Sequence, residues 1–537
     1  MIKKIISSQS KSITGAAIVL AAASFISRLI GVLRDRIFAH TFGASDTLDI
    51  YYAAFRIPDF VYNLIIVGAL SAGFIPVFMS LYVKSKKKAW VLTNNILNIL
   101  GLSLTLLCVL LFFATPYLMH YIVPGFSAEK LEKTIMLTRV MFLSPILLGI
   151  SGIFSGVLQS LKSFFIYALT PIVYNLGIII GVIFFVPYFG LPGLAWGVIL
   201  GAFFHLLIQI PTLFHHGFSY KWSLNFSNTH VKKMGALMIP RTLTIGTTQL
   251  NFLVITIIAS TLSRGSVTVF NFANNLQYFP IGLIGISFSL AAFPTLSKLY
   301  AEKKETEFIE HLVNVVKQIL FFIIPLTLIF LLLRAQIVRV VLGSGAFDWN
   351  ATIATANTLG FFALSLFAQC LIPLLMRAFY AMHNTWTPLS IAFIGSLVNI
   401  IASLLLKNEY GIAGLALAFS IAMIVQFILL WFSLRYKLKT LLEEEIIHGF
   451  YKISVAAIAM GITIQATKQT LSTLVDMNRF WGVLTQAGIA TLLGVLVYGF
   501  ICSLLRLREM RLFTASFQKR FLKRSSAQAV IREADDI

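Results

Sequence analysis

Apolar runs of about 20 residues recur along nearly the whole chain, separated by short stretches where lysine, arginine, glycine and proline collect. A run of that length is what a helix needs to cross the hydrocarbon core of a bilayer. The pattern predicts helices over 14–39, 50–83, 89–115, 134–161, 165–187, 191–214, 233–262, 267–299, 309–333, 352–382, 386–406, 411–434, 448–467 and 480–505, fourteen in all. The expected fold class is therefore an all-α polytopic membrane protein. Helices satisfy every backbone group within one segment, which lipid demands.

The pattern also repeats. "GALSAGFIPVFMSLY" (68–82) and "GISFSLAAFPTLSKLY" (285–300) share Ser71/Ser289, Pro76/Pro294 and Tyr82/Tyr300, each 218 residues apart. "ALTP" (168–171) and "TWTP" (385–388) share Thr-Pro at a shift of 217, and "GLPGLAWG" (190–197) and "GIAGLALA" (411–418) align at 221. Each copy holds six spans. Six is even, so both copies enter the membrane in the same orientation, as in parallel-repeat transporters. The expected organisation is a six-helix lobe at 14–214, a second at 233–434, two additional helices at 448–505 and a basic tail at 506–537. Such lobes bind substrate between them and work by alternating access. The other reading of the repeat is an inert duplicated scaffold.

Composition agrees: 58% of residues are hydrophobic, 12% are charged, and mean hydropathy is +0.88. The net charge of +22 does not point to nucleic acid, because the basic residues cluster in short loops and the tail. On one side the stretches 3–11, 84–88, 221–233, 298–304, 435–439 and 506–524 carry 23 Lys and Arg, and the loops on the other side carry eight. Both termini are therefore expected in the cytoplasm. The start, "MIKKIISSQSKSITGAAIVLAAAS", imitates a signal peptide, but its apolar run continues to Leu33, so an uncleaved first helix is expected. Cys108, Cys370 and Cys502 lie in separate apolar segments, and neither disulfide nor metal is expected. In the tail, Phe513, Phe517 and Phe521 recur every four residues beside basic positions, a pattern suited to lying on anionic lipid.

Charges inside the spans carry the chemistry. Arginines at 28, 34, 56, 139, 241 and 377 outnumber the carboxylates Asp35, Asp49 and Asp59. An arginine at a helix centre costs about 2.5–3.5 kcal/mol on insertion scales, so it needs a partner, water or a route to the interface. Some of these groups serve as structural ion pairs; the surplus calls for an anion, and a guanidinium fork matches phosphate oxygens. Arg28 and Asp35, seven apart, share a helical face, whereas Arg28 and Arg34, six apart, do not. Either a bend at Gly31 aligns the two arginines, or they act in different states, one gripping a diphosphate and the other paired with Asp35 or Asp49. Pro58 is expected to interrupt the second span and "NNLQYFPIGLIG" (274–285) the eighth, with Pro240 and Pro373 bending the seventh and tenth. Nucleotide-binding, zinc and Ser/His/Asp signatures are missing, so neither an enzyme nor a cofactor is expected.

"SRLIGVLRDRIFAHTFGASDTLDIYYAAFRIPDF" (27–60), "GAFD" (345–348) and "RAFYAMHNTWTP" (377–388) resemble the MurJ/MviN lipid II flippases of the multidrug/oligosaccharidyl-lipid/polysaccharide exporter superfamily, over roughly 14–505. The resemblance implies two lobes around a cationic cavity, a groove for the polyprenyl tail on the additional helices, and a place in the cytoplasmic (inner) membrane. The implied activity moves lipid II, the lipid-linked peptidoglycan precursor, from inner to outer leaflet. Partners would be lipid II, membrane lipids and cell-wall synthases. Arg28, Arg34 and Asp35 match the family's first-helix motifs, Asp49 matches its acidic position, and Arg56 stands where many members have Lys. These five are the expected substrate-binding residues, with Asn275, Arg241 and Arg377 as a secondary cavity set. Studied members carry Arg-Arg and a Glu in the second helix, where this chain has Tyr62, Asn63 and Val67, and an Arg where it has Asn275. Some members bind sodium through carboxylates of the seventh and eleventh helices; this chain has only polar residues there, such as Gln249, Asn251 and Asn399, so sodium coupling is not expected. The alternatives are a flippase for another polyprenyl-diphosphate glycan, a cation or drug antiporter, and a non-transporting scaffold.

Overall fold

The structure, a computed structural model, describes the backbone of residues 13–67, 74–477 and 479–521, and the side chains of 22–65, 74–235, 238, 242, 243, 245–477 and 479–515. The expectations on Arg241, Phe517 and Phe521 therefore fall on side chains outside the described residues. The regular elements among the described residues are all helical. The first half runs α1 Ile13–Phe42, α2 Asp46–Tyr62, α3 Ile75–Lys84, α4 Lys86–Ile122, α5 Ala128–Met141, α6 Leu143–Ser160, α7 Phe164–Ile180, α8 Val186–Phe189, α9 Pro192–Leu207 and α10 Ile210–His215. The second half runs α11 Thr229–Ser260, α12 Ser266–Pro280, α13 Ser287–Ala301, α14 Glu305–Leu332, α15 Arg334–Leu342, α16 Trp349–Ala363, α17 Leu366–Ala381, α18 Trp386–Leu438, α19 Glu443–Ser472, α20 Phe480–Leu504 and α21 Arg508–Phe521.

Each of the fourteen expected segments meets a helix. Among the described residues, nine helical segments are long and apolar enough to cross a membrane, or ten if α16 and α17, bent by 47°, form one span. Part of the difference from fourteen has visible sources. α18 runs two expected spans together across a break at Gly411, and the second span is divided between α2 and α3.

The repeat is written in the backbone as well. π-helical segments interrupt the second and eighth spans at Asn63–Val67 and Ile281–Ile286, starting 218 residues apart. The break in the eighth span falls where expected, directly after Pro280. The break in the second does not fall at Pro58; α2 continues through the proline for another turn. A proline removes one hydrogen bond, and here the helix absorbs that loss and reorganises later. Turns recur too: Gly43/Gly265, Lys162/His383, Gly190/Gly411 and Gly217/Lys439 all have positive φ and lie 221 or 222 residues apart.

By packing, the chain forms two units, one of Met1–Phe272 with Ser344–Ala351, the other of Ala273–Gly343 with Thr352–Ile537. Packing thus groups α11 with the first unit, whereas the sequence repeat groups it with the second lobe; Thr242 Oγ1 donates to Leu64 O at 3.3 Å. In the first unit α7, with the π-helical turn Gly181–Phe185 that continues it, meets α9 through glycine. A Cβ on Gly177 would lie 2.3 Å from Gly201 Cα, and one on Gly181 would lie 2.3 Å from Gly197 Cα. Small residues spaced by four let helix backbones touch, which is how spans gain packing in lipid. At one end of this unit "GAFD" inserts against the α1–α2 turn. Gly345, at φ +55, leaves no room for a Cβ beside His40 O at 2.3 Å, and Ala346 N donates to His40 O at 2.9 Å. Phe347 is buried there against Phe272, ring centroids 5.9 Å apart. At the other end Asn94, Asn95 and Asn98 of α4 bind the backbone of residues 219–225, each bond 2.9 Å or shorter. In the second unit the additional helices α19 and α20 pack on α14, with Tyr498 Oη donating to Phe321 O at 2.7 Å and Lys317 paired with Glu445 at 2.8 Å. Phe513, expected on lipid, is half exposed and also rests on Phe322 at 5.8 Å.

Candidate functional site

Most of the charged residues of the first two spans lie within the first unit in three clusters, around Arg34, Arg56 and Asp49. The first is centred on Arg34. Its Nε and Nη2 donate to Asp35 Oδ1 at 3.0 and 2.7 Å, and its Nη1 donates to Asn175 Oδ1 at 3.0 Å. Asp35 is buried. Asn175 is fixed by its own helix, since its Nδ2 donates to Pro171 O at 3.0 Å and turns the amide oxygen toward the guanidinium. The Arg34 guanidinium also stands 5.9 Å from the Phe38 ring centre.

Arg56 on α2 is held in the same way. Its Nη2 donates to Asn271 Oδ1 at 2.8 Å, and Asn271 Nδ2 donates to Val267 O at 2.6 Å. Phe252 lies under the guanidinium at 5.8 Å. Here the fork is not saturated: Arg56 Nε is buried with no hydrogen-bond partner, and so is the hydroxyl of Tyr52. The two residues are four apart on one helix, so they lie on the same face. Buried polar atoms without partners are uncommon in folded proteins and call for a ligand, water or a change of state. Between the two arginines runs an aromatic cluster: Phe38 meets Tyr51 at 5.1 Å and Tyr52 at 6.5 Å, and Tyr52 meets Phe272 at 6.1 Å. Beyond Arg56, Asp59 Oδ1 accepts from Asn63 Nδ2 at 2.9 Å.

Asp49 stands apart from both arginines and is saturated. Its Oδ1 accepts from Thr268 N at 2.9 Å and Thr268 Oγ1 at 2.8 Å; its Oδ2 accepts from Gly265 N at 2.9 Å and Lys130 Nζ at 3.0 Å. The carboxylate caps the start of α12, where free N–H groups and the helix dipole favour negative charge. Lys130 bridges on to Asp46 at 2.7 Å and sits 3.9 Å from the Phe126 ring centre. Arg28 is half-buried on α1. In the second unit Asn275 is half-buried, and Arg377 donates to Ser289 Oγ and, at 3.3 Å, to Ile286 O, bracing the π segment. The structure thus brings Arg34 to Asp35, gives Arg56 an incomplete shell, and commits Asp49 and Arg377 to neighbouring backbone. The sequence reading missed Asn175, Asn271 and Tyr52. An uncharged amide in an apolar span was the available signal for the first two.

Apolar helices long enough to cross a membrane, with half-buried arginines among them, mark a polytopic membrane protein. The fold is shared with a solved transporter: an inward-facing multidrug resistance MATE family transporter superposes with TM-score 0.66 at 16% identity, covering 79% of this chain and 98% of that one. The family model described as "Lipid II flippase MurJ" matches residues 38–485, and the chain belongs to the MurJ lipid II flippase family. A solved "Lipid II flippase MurJ, inward closed conformation" is similar with TM-score 0.76 and 28% identity, covering 91% of this chain and 98% of that chain. Among curated relatives, the probable lipid II flippase MurJ of Buchnera aphidicola subsp. Schizaphis graminum (strain Sg) is 30% identical over 77% of this chain and 82% of its own length. The lipid II flippase MurJ of Burkholderia cenocepacia is 27% identical over 78% of this chain and 83% of its own.

Proposed function

We propose that this chain moves lipid II from the inner to the outer leaflet of the cytoplasmic membrane by alternating access of its two six-helix lobes, as a transporter and not an enzyme. The observation that carries the phosphate-binding part is the unsaturated Arg56 beside the orphaned Tyr52 hydroxyl on one face of α2. In this reading Arg28, Arg34 and Arg56 engage the diphosphate. Arg34, parked on Asp35 and Asn175, is the arginine that exchanges partners between states. The additional helices α19 and α20 take the polyprenyl tail, and cell-wall synthases downstream use the exported lipid. The experiment is complementation of a strain depleted of its own flippase, scored by how much lipid II becomes accessible outside. Growth without external lipid II would overturn the reading.

The orientation belongs to the same proposal. With both termini inside, a membrane-impermeant thiol reagent applied to intact cells labels Asp348→Cys and misses Lys86→Cys. Both positions are exposed, and the three native cysteines are buried. Labelling of position 86 from outside reverses the assignment.

Coupling follows from the carboxylates. The expected result is that transport in liposomes changes less than about twofold when potassium replaces sodium. The membrane potential supplies the drive, since an anion leaves a negative interior. A strict sodium requirement, lost in Asn399→Ala, would show that a sodium site operates around the buried Asn399.

A further inference from the structure

Three turns at one end of the second unit each hold a basic side chain at positive φ: Lys303 at 59°, His383 at 56° and Lys439 at 64°. That backbone region disfavours any residue with a Cβ, and glycine is its default occupant. The first half uses glycine at the position related to Lys439, Gly217 at φ 87°. The second half therefore keeps a long cationic side chain where the backbone favours none.

These turns enclose space. Tyr300, Lys303, Lys304, Phe308, His383 and Lys437 line a cavity of about 500 Å³, whose wall also includes the carboxylate of Glu305. Lys437 also lines a neighbouring groove of about 1050 Å³ with Asn384, Thr387, Phe432, Tyr436 and Lys439. Not every cation there is available: Lys304 is paired with Glu307 at 3.1 Å, and Arg435 with Glu443 at 2.6 Å. Lys303, Lys437 and Lys439 make no ion pair among the described residues. The groove is amphipathic. Phe432 is 60% and Tyr436 92% exposed on its wall, and Trp386, at the start of α18, is 72% exposed. Exposed aromatics at span ends mark the level of the lipid headgroups.

We infer that this cavity and groove form a binding site for the headgroup of an anionic phospholipid, its phosphodiester held by Lys303, Lys437 and Lys439 and its acyl chains lying along Phe432. The aromatic wall selects a lipid over free phosphate. A compact, rotatable ammonium suits a phosphodiester that offers no fixed bidentate face. The binding does not depend on the transport reading; the orientation proposed above would place the site at the inner leaflet.

The test uses the full chain in a neutral detergent, titrated with dioctanoyl phosphatidylglycerol and read by thermophoresis of a dye on a terminal tag. Dioctanoyl phosphatidylcholine and inorganic phosphate are the comparison arms. The combined variant Lys303→Gln, Lys437→Gln, Lys439→Gln is expected to weaken phosphatidylglycerol binding by about tenfold or more. The charge-matched variant Lys84→Gln, Lys86→Gln, Lys87→Gln should change it by less than about twofold, and Lys437→Gln alone, at the shared wall, should weaken it by about threefold. Unchanged melting temperatures establish that the variants fold; if the triple variant fails to fold, Lys437→Gln decides. Phosphatidylcholine should bind about tenfold more weakly than phosphatidylglycerol. Equal losses in both triple variants would reduce the effect to diffuse surface charge and overturn the site. Equal binding of phosphatidylcholine, or competition by inorganic phosphate at matching concentration, would overturn it too.

Discussion

Arg56→Ala is expected to abolish rescue of a flippase-depleted strain at normal membrane abundance, with Arg56→Lys keeping part of the activity. Arg56 spends one amino group on Asn271 and leaves Nε buried without a partner beside the Tyr52 hydroxyl. A charge-assisted hydrogen bond contributes about 1.5–3 kcal/mol, so losing a two-pronged contact with phosphate lowers binding by about a hundredfold or more. Lysine keeps the charge and loses the planar fork, which is why it rescues only in part. Arg28→Ala and Arg34→Ala should fail in the same assay. Arg139→Ala should be milder, because Arg139 donates to Phe112 O at 3.2 Å and stacks 5.0 Å from that ring, a packing role. The measurement is growth together with a blot for membrane protein. If the alanine variants at 28, 34 and 56 all complement fully, the cationic mechanism is wrong and these charges are structural.

Asp49→Ala is expected to destabilise the protein by about 3–5 kcal/mol, the range for breaking a buried ion pair from one side. The carboxylate is 2% exposed and accepts four bonds, so its removal strands two N–H groups at the start of α12 and one of the two contacts of Lys130. Asp49→Asn keeps an acceptor and loses the charge, and should fall between. Asp46, whose side chain is 44% exposed, pairs with the same lysine, yet Asp46→Ala should cost no more than about 1 kcal/mol. Denaturant unfolding in detergent, followed by helical signal, separates these cases. An Asp49→Ala protein within about 1 kcal/mol of the parent would show that the carboxylate cap on α12 does not stabilise the fold. The two experiments also divide the sequence-derived site: Arg56→Ala should lose transport and keep stability, whereas Asp49→Ala should lose stability first, and Arg34→Ala, which strands the buried Asp35, should lose both.

The helices were legible because a bilayer leaves the chain few choices. Length and hydropathy alone placed all fourteen segments on helices. The repeat was legible from Ser, Pro and Gly matches, and the backbone repeats its turns at the same spacing. What spacing could not reach were partners distant in sequence. Asn175 lies 141 residues from Arg34 and Asn271 lies 215 from Arg56, and one chain read alone carries no signal for such pairs. Periodicity put Arg28 and Asp35 on one face. The pairing of one arginine with Asp35 was among the alternatives read from the sequence, and Arg34 is the one that makes it, folding back onto its immediate neighbour. "GAFD" was readable as a motif but not as a plug, since its place against His40 depends on two backbones meeting where glycine leaves room. The break at Pro58 was misplaced because a proline marks where a bond is missing, not where the helix chooses to reorganise.

The π segments at Asn63–Val67 and Ile281–Ile286 have a further meaning. Such a segment is an α-helix that has taken in one extra residue, with everything downstream rotated by that insertion. Two independent insertions would have to land in the same register of the two copies. A single insertion, copied when the gene doubled, needs only one event. The extra residue then predates the repeat, and each copy carries it at the same point of its second span.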